Sequence, residues 1–143
     1  MPFEYRGDIA NADVAFNAWA DTLEELFREA ARATMRVMID DLAAIRATQT
    51  VELQLDQESE EMLLFDFLSE LIFYKDARRQ LLLPAQLAFY KTDTGFGLKG
   101  TLQGEEIDMA RHEMSTDVKA VTMLRFSLAR LAEGGRATVV LDV

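Results

Sequence analysis

The sequence predicts an α+β fold: a mostly antiparallel sheet packed against two helices in a sandwich, formed by residues 1–143 as a single domain. Three observations predict it. Two stretches carry apolar residues at helical spacing, Leu23 to Ile39 and Met62 to Ile72. Several short alternating or β-rich runs surround them, Thr50 to Leu55 and Thr138 to Val143 among them. Turn residues then divide the second half of the chain, at Thr92-Asp93-Thr94-Gly95 and at Glu133-Gly134-Gly135.

Taken in order, Asp13-Val14-Ala15-Phe16-Asn17-Ala18-Trp19 has the β-branched and aromatic content of a strand. Thr22-Leu23-Glu24-Glu25 fits a capping box, in which a hydroxyl and a carboxylate satisfy free N–H groups at a helix start. Leu23, Leu26, Phe27, Ala30, Thr34, Val37 and Met38 continue that helix to about Ile39, and Asp40-Asp41 marks its exit. Thr50-Val51-Glu52-Leu53-Gln54-Leu55 alternates as a half-buried strand. The acidic run Asp56 to Glu61 opens a second helix, where it complements the dipole, and that helix ends near Asp76. Leu87 to Tyr90 and Phe96 to Leu102 read as a hairpin. Val118 to Ala129 is a further extended candidate whose apolar residues also suit a helix, and Thr138 to Val143 closes the fold.

Composition narrows the function. The chain has no cysteine and one histidine, His112, which excludes disulfides, thiolate nucleophiles and a multi-histidine zinc centre within one chain. Any metal should therefore be a hard cation bound by oxygen. With 25 acidic and 15 basic residues, the net charge of -10 opposes tight, direct nucleic-acid binding and suits a basic protein partner or a divalent cation. No run approaches the roughly 20 apolar residues of a membrane span. Met1 to Gly7 shows no charged-then-apolar leader, so the cytoplasm is the expected location.

Three places could carry chemistry. Asp13 precedes one strand, and Asp142 with the Val143 carboxylate ends another; if those ends converge they form an oxygen site for a hard cation, and otherwise they are surface acids. Asp108 to Thr122 gathers acids, bases, hydroxyls and His112. Beside Glu113 the imidazole is a candidate acid or base, or else a loop residue held by hydrogen bonds. No nucleophile elbow, glycine-rich phosphate loop or diagnostic carboxylate pair accompanies it. Finally, the second helix carries Phe65, Phe67, Phe73 and Tyr74, an apolar surface wide enough for core or for a partner.

These segments resemble the archease family over essentially the whole chain. Its first motif, His-Thr-Ala-Asp followed by an apolar strand and a Thr-Leu-Glu-Glu helix start, is similar to Asn11-Ala12-Asp13-Val14-Ala15-Phe16 and Thr22-Leu23-Glu24-Glu25-Leu26-Phe27. Its leucine-rich helix resembles Leu63 to Leu71. The most specific likeness is His112-Glu113 with Thr116-Asp117-Val118-Lys119-Ala120-Val121-Thr122, against a signature of His-Glu and then Thr-Glu-Val-Lys-Ala-Ile-Thr. The closing Val140-Leu141-Asp142-Val143 agrees as well. Ala10 and Asn11 replace the motif's histidine and threonine, and Met123-Leu124 replaces an aromatic-histidine pair.

The resemblance implies a metal site, most simply for calcium, at Asp13 and Asp142 with Val143 assisting. It also implies a role as a non-catalytic protein cofactor that promotes guanylylation and repeated turnover of an RNA-splicing ligase in tRNA splicing or RNA repair. His112, Glu113, Asp117 and Lys119 then become candidates for the partner or activation surface. The competing expectation is a generic acidic interaction or chaperone-like module whose acids only maintain solubility.

Overall fold

A computed structural model describes residues 2–7 and 13–143. In chain order its elements are β1 (Phe3–Arg6), β2 (Val14–Ala20), α1 (Leu23–Met38), a short 3-10 turn (Leu42–Ala44), β3 (Gln49–Gln57), α2 (Glu60–Arg78), β4 (Gln80–Lys91), β5 (Phe96–Glu106), β6 (Ala120–Arg130) and β7 (Gly135–Asp142). The strands form two antiparallel sheets, ordered β1-β2-β7-β6 and β3-β5-β4, so the expected sheet is divided in two. Both helices touch strands of both sheets. One apolar cluster joins all these layers, with Phe16, Phe27, Phe67, Leu68 and Val139 fully buried within it.

Local chemistry accounts for the helix boundaries. Thr22 caps α1, its hydroxyl accepting from the Glu25 N–H at 3.1 Å. Alanines 30, 31 and 33 are buried along α1, where small side chains let the helix lie close to its neighbours. The Arg28 guanidinium donates to the Pro84 and Ala85 carbonyls at 2.9 and 2.7 Å, tying α1 to β4 where a proline interrupts the ladder.

The start of α2 lies later than the acidic run suggested. Asp56 belongs to β3, and Ser59 is the cap, accepting from the Met62 N–H at 3.1 Å. The helix then runs past Asp76 to Arg78, with Lys75 and Arg78 in its last turn, where positive charge is favourable. Its broad apolar surface is explained by its contact with β3, β4 and β5 of one sheet and β6 of the other. Phe65 meets Phe126 edge-on at 5.3 Å, whereas Phe73 is exposed.

Val118 to Ala129 is strand rather than helix from Ala120 onward, as the edge strand β6. Its pairing with β7 is interrupted between Thr122 and Ser127, where Arg125 takes a left-handed conformation (φ 52) and Met123 and Leu124 are exposed. Gly134 carries the turn into β7 at φ 94, a conformation that glycine adopts without steric cost. Among the described residues, no helix is long and apolar enough to cross a membrane.

Candidate functional site

The β2–β7 register sets the geometry of the strand ends. Val14 pairs with Leu141, Ala15 with Val140 and Phe16 with Val139. Asp13 precedes Val14 and Asp142 follows Leu141, so both lie at the same end of that antiparallel ladder, just past its Val14–Leu141 pair. Because opposed residues share a face and alternate residues change face, Asp142 belongs with Val140 and Thr138, and with Ala15 and Asn17 opposite them, on the side away from Phe16 and Val139. Asp13 and Asp142 are half-exposed. Val143 follows them, its side chain packed against the core.

β6 brings a third strand to this end. Ala120 pairs with Asp142, and the Lys119 N–H donates to the Asp142 carbonyl at 2.8 Å. Thr122, opposite Val140, lies on the same face, and its buried hydroxyl has no hydrogen-bond partner among the described residues. Side-chain and main-chain oxygens are the donors available here, the kind a hard cation such as calcium takes. Among the described residues no three His, Cys, Asp or Glu side chains group together. The side-chain oxygens at this end of the sheet are thus the Asp13 and Asp142 carboxylates and the Thr122 hydroxyl.

Residues 107–119, between β5 and β6, have no regular secondary structure and run beside the end of α1. Ile39 bridges to Met114, while the Ser115 and Thr116 N–H groups donate to the carbonyls of Met38 and Val37 at 2.8 and 3.0 Å. Lys119 and Asp117 are exposed. Asp117 Oδ1 accepts from the Lys75 ammonium at 2.5 Å, and the Val118 carbonyl accepts from it at 2.8 Å.

His112 requires a correction as a surface candidate. It is 2% exposed, and its carboxylate partner is Glu105 rather than the adjacent Glu113. The Asp108 N–H donates to Nδ1 at 2.9 Å, which places the ring proton on Nε2, facing Glu105 Oε2 at 2.9 Å. Glu105 also accepts from the Arg46 N–H at 2.7 Å and from the Arg111 guanidinium. Burial alone would raise the Glu105 pKa, but the Arg46 N–H, His112 and Arg111 outweigh it and hold the carboxyl at about 2. This arrangement locks a corner of the fold, and it leaves Glu113 exposed, with its carbonyl taking the Asp40 N–H at 3.3 Å.

Two residues that sequence reasoning missed, Glu105 and Lys75, organise this region. Lys75 had a signal. It continues the row Leu68, Leu71 and Ile72 at helical spacing, so a lysine stood at a core position. Glu105 had none, because its partners come from two separated segments, at Arg46 and at Arg111-His112.

With this geometry in view, a sequence profile of the Archease protein family (MTH1598/TM1083) matches residues 3–143. The chain belongs to the archease family. Protein archease of Methanopyrus kandleri is 36% identical over 134 residues, covering 92% of this chain and 94% of that protein. Protein archease of Methanothermobacter thermautotrophicus is likewise 36% identical over 134 residues, covering 92% and 93%. The solution structure of Methanobacterium thermoautotrophicum protein 1598 superposes on this archease-family fold with a TM-score of 0.81, at 32% identity and 99% coverage of both chains. A Thermotoga maritima structure described as an archease and possible chaperone shares the fold at a TM-score of 0.65, with 21% identity and 96% coverage of both chains. Ala10 and Asn11, the replaced residues of the family's first motif, lie outside the described residues.

Proposed function

We propose that this archease-family chain is a non-catalytic activator of an RNA-splicing ligase, promoting the ligase's guanylylation and repeated turnover through a divalent cation, calcium in the simplest case, held at Asp13 and Asp142. The observation that carries this reading is the register that brings those two aspartates to one end of the β2–β7 ladder. They supply the carboxylate oxygens, and main-chain oxygens and water complete the six to eight that calcium takes. When bound, the cation supplies concentrated positive charge that a phosphate-bearing site on the partner can use.

The chain's own residues do the rest. Lys119 emerges beside Asp142 and offers a directed positive charge at the same end. The net charge of -10 steers the protein toward a basic, RNA-binding partner and away from RNA itself. Asp117 and Glu113, exposed on the connection before β6, extend the surface available to that partner.

The reading is tested by multiple-turnover RNA ligation with a cognate ligase. Adding the wild-type chain in small amounts should sustain turnover after the ligase alone has stalled. Identical progress curves with and without it would remove the assignment.

A second reading, a chaperone-like binding module, is favoured by one observation: Met123 and Leu124 project from the interrupted edge strand β6. Suppression of client aggregation that survives loss of both Asp13 and Asp142 carboxylates would support it over the first.

A further inference from the structure

The peptide unit between Val118 and Lys119 is held at both ends. Its carbonyl accepts from the Lys75 ammonium at 2.8 Å, and its N–H donates to the Asp142 carbonyl at 2.8 Å. A trans peptide is rigid and planar, with its C=O and N–H pointing in opposite directions. This single unit therefore spans from the last turn of α2 to the end of β7, and ties a buried helix residue to the aspartate of the strand-end site.

Lys75 is suited to that role. It is 6% exposed, and an ammonium buried to that degree needs its donors matched. It has three N–H donors. Three acceptors meet it: Val118 O, Asp117 Oδ1 at 2.5 Å and Asp76 Oδ1 at 2.5 Å. Both carboxylates are exposed, with 70% of the Asp117 side chain and 53% of the Asp76 side chain accessible, so their charge is largely solvated. The Val118 carbonyl bond is buried. It is thus the bond whose loss leaves an orphaned acceptor inside the protein.

We propose that Lys75 is a positioning residue for the Asp13–Asp142 site, acting through the 118–119 peptide, which fixes the Asp142 main chain and sets the point from which the Lys119 side chain departs. The inference rests on the cation reading above and adds a residue outside the strand ends. It also distinguishes the parts of the Lys75 cluster. The Val118 bond carries the effect on the site, and the Asp117 ion pair contributes little to it.

The test is calorimetric titration of calcium chloride into the wild-type chain, Lys75→Met and Asp117→Asn, with thermal unfolding of each measured alongside. Lys75→Met should weaken calcium binding by about tenfold or more, the usual scale for losing a residue that orients a ligand. Asp117→Asn, which leaves the Val118 bond in place, should stay within about twofold of wild type. A lower melting temperature for Lys75→Met with unchanged calcium affinity would show a purely structural role and overturn the inference alone. Equal losses in the two variants would also overturn it, because the ion pair and not the peptide would then be the link. No calcium binding by the folded wild type would overturn the cation reading and this inference with it. Should Lys75→Met fail to fold, NMR of the wild type provides the test: calcium should shift the Lys119 amide and the Lys75 side-chain resonances together with Asp142. Movement at Asp142 alone would refute the coupling.

Discussion

The imidazole of His112 faces Glu105 Oε2 from Nε2 across 2.9 Å, while its other ring nitrogen takes the Asp108 N–H. Both ring nitrogens are thus occupied inside the protein, in a corner that joins the end of β5 to the connection leading into β6. An imidazole held in this way is a brace between two segments.

His112→Ala should therefore destabilise the protein by about 3 kcal/mol, combining a cavity with the loss of a partner for a buried carboxylate. Urea unfolding reads this directly. Ligase stimulation per folded molecule should be unchanged, and a large loss of stimulation at full folding would make His112 a functional residue after all.

Acid should loosen the same corner. The Glu105 carboxyl is held at about 2 when folded, below its ordinary 4.5. A depressed carboxylate pKa means that the unfolded chain takes up the proton first as pH falls, so this contribution to stability is complete above about 4.5 and is lost on the way down to about 2. Melting temperature measured across that window should fall less steeply in Glu105→Gln than in wild type. Parallel curves would show that the carboxylate contributes nothing to acid sensitivity.

Gly134→Ala should cost about 1 to 3 kcal/mol, since φ 94 disfavours any side chain and a Cβ there would collide with the Ala20 backbone. That turn lies at the far end of the β2–β7 ladder from Asp13 and Asp142, beside the Gly135–Ala20 pair. Calcium affinity of the folded variant should accordingly match wild type, which separates global stability from the state of the site in a single protein.

Much of the architecture was legible because it follows from local patterning. Thr22 announced the α1 cap, and the alternation of Thr50 to Leu55 announced β3. The turn at Thr92 to Gly95 marked the β4–β5 hairpin, whose Thr92 N–H donates to the Gly95 carbonyl at 3.0 Å. The division into two sheets was not legible, because alternation reports which residues face a core and not which strands pair. At the candidate site, Asp13 and Asp142 could be named from the chain, whereas their place at one end of the sheet depends on a ladder between residues more than a hundred positions apart. Of the two readings of His112, a loop residue held by hydrogen bonds is the one found, but its partner was not legible: adjacency in sequence pointed to Glu113, and folding supplied Glu105 from β5. Lys75 carried the most information left unread, a charged residue on the apolar face of α2.

The most direct measurement of the central claim is the rate of guanylate transfer to the active-site histidine of a cognate RNA-splicing ligase, with substoichiometric wild-type chain, Asp13→Asn or Asp142→Asn. These replacements keep side-chain shape while removing carboxylate charge. The account predicts strong stimulation by wild type, and its loss in both variants at unchanged melting temperature. Stimulation that persists in both would contradict it, placing the activity of this archease-family protein somewhere other than the strand end that carries Asp13 and Asp142.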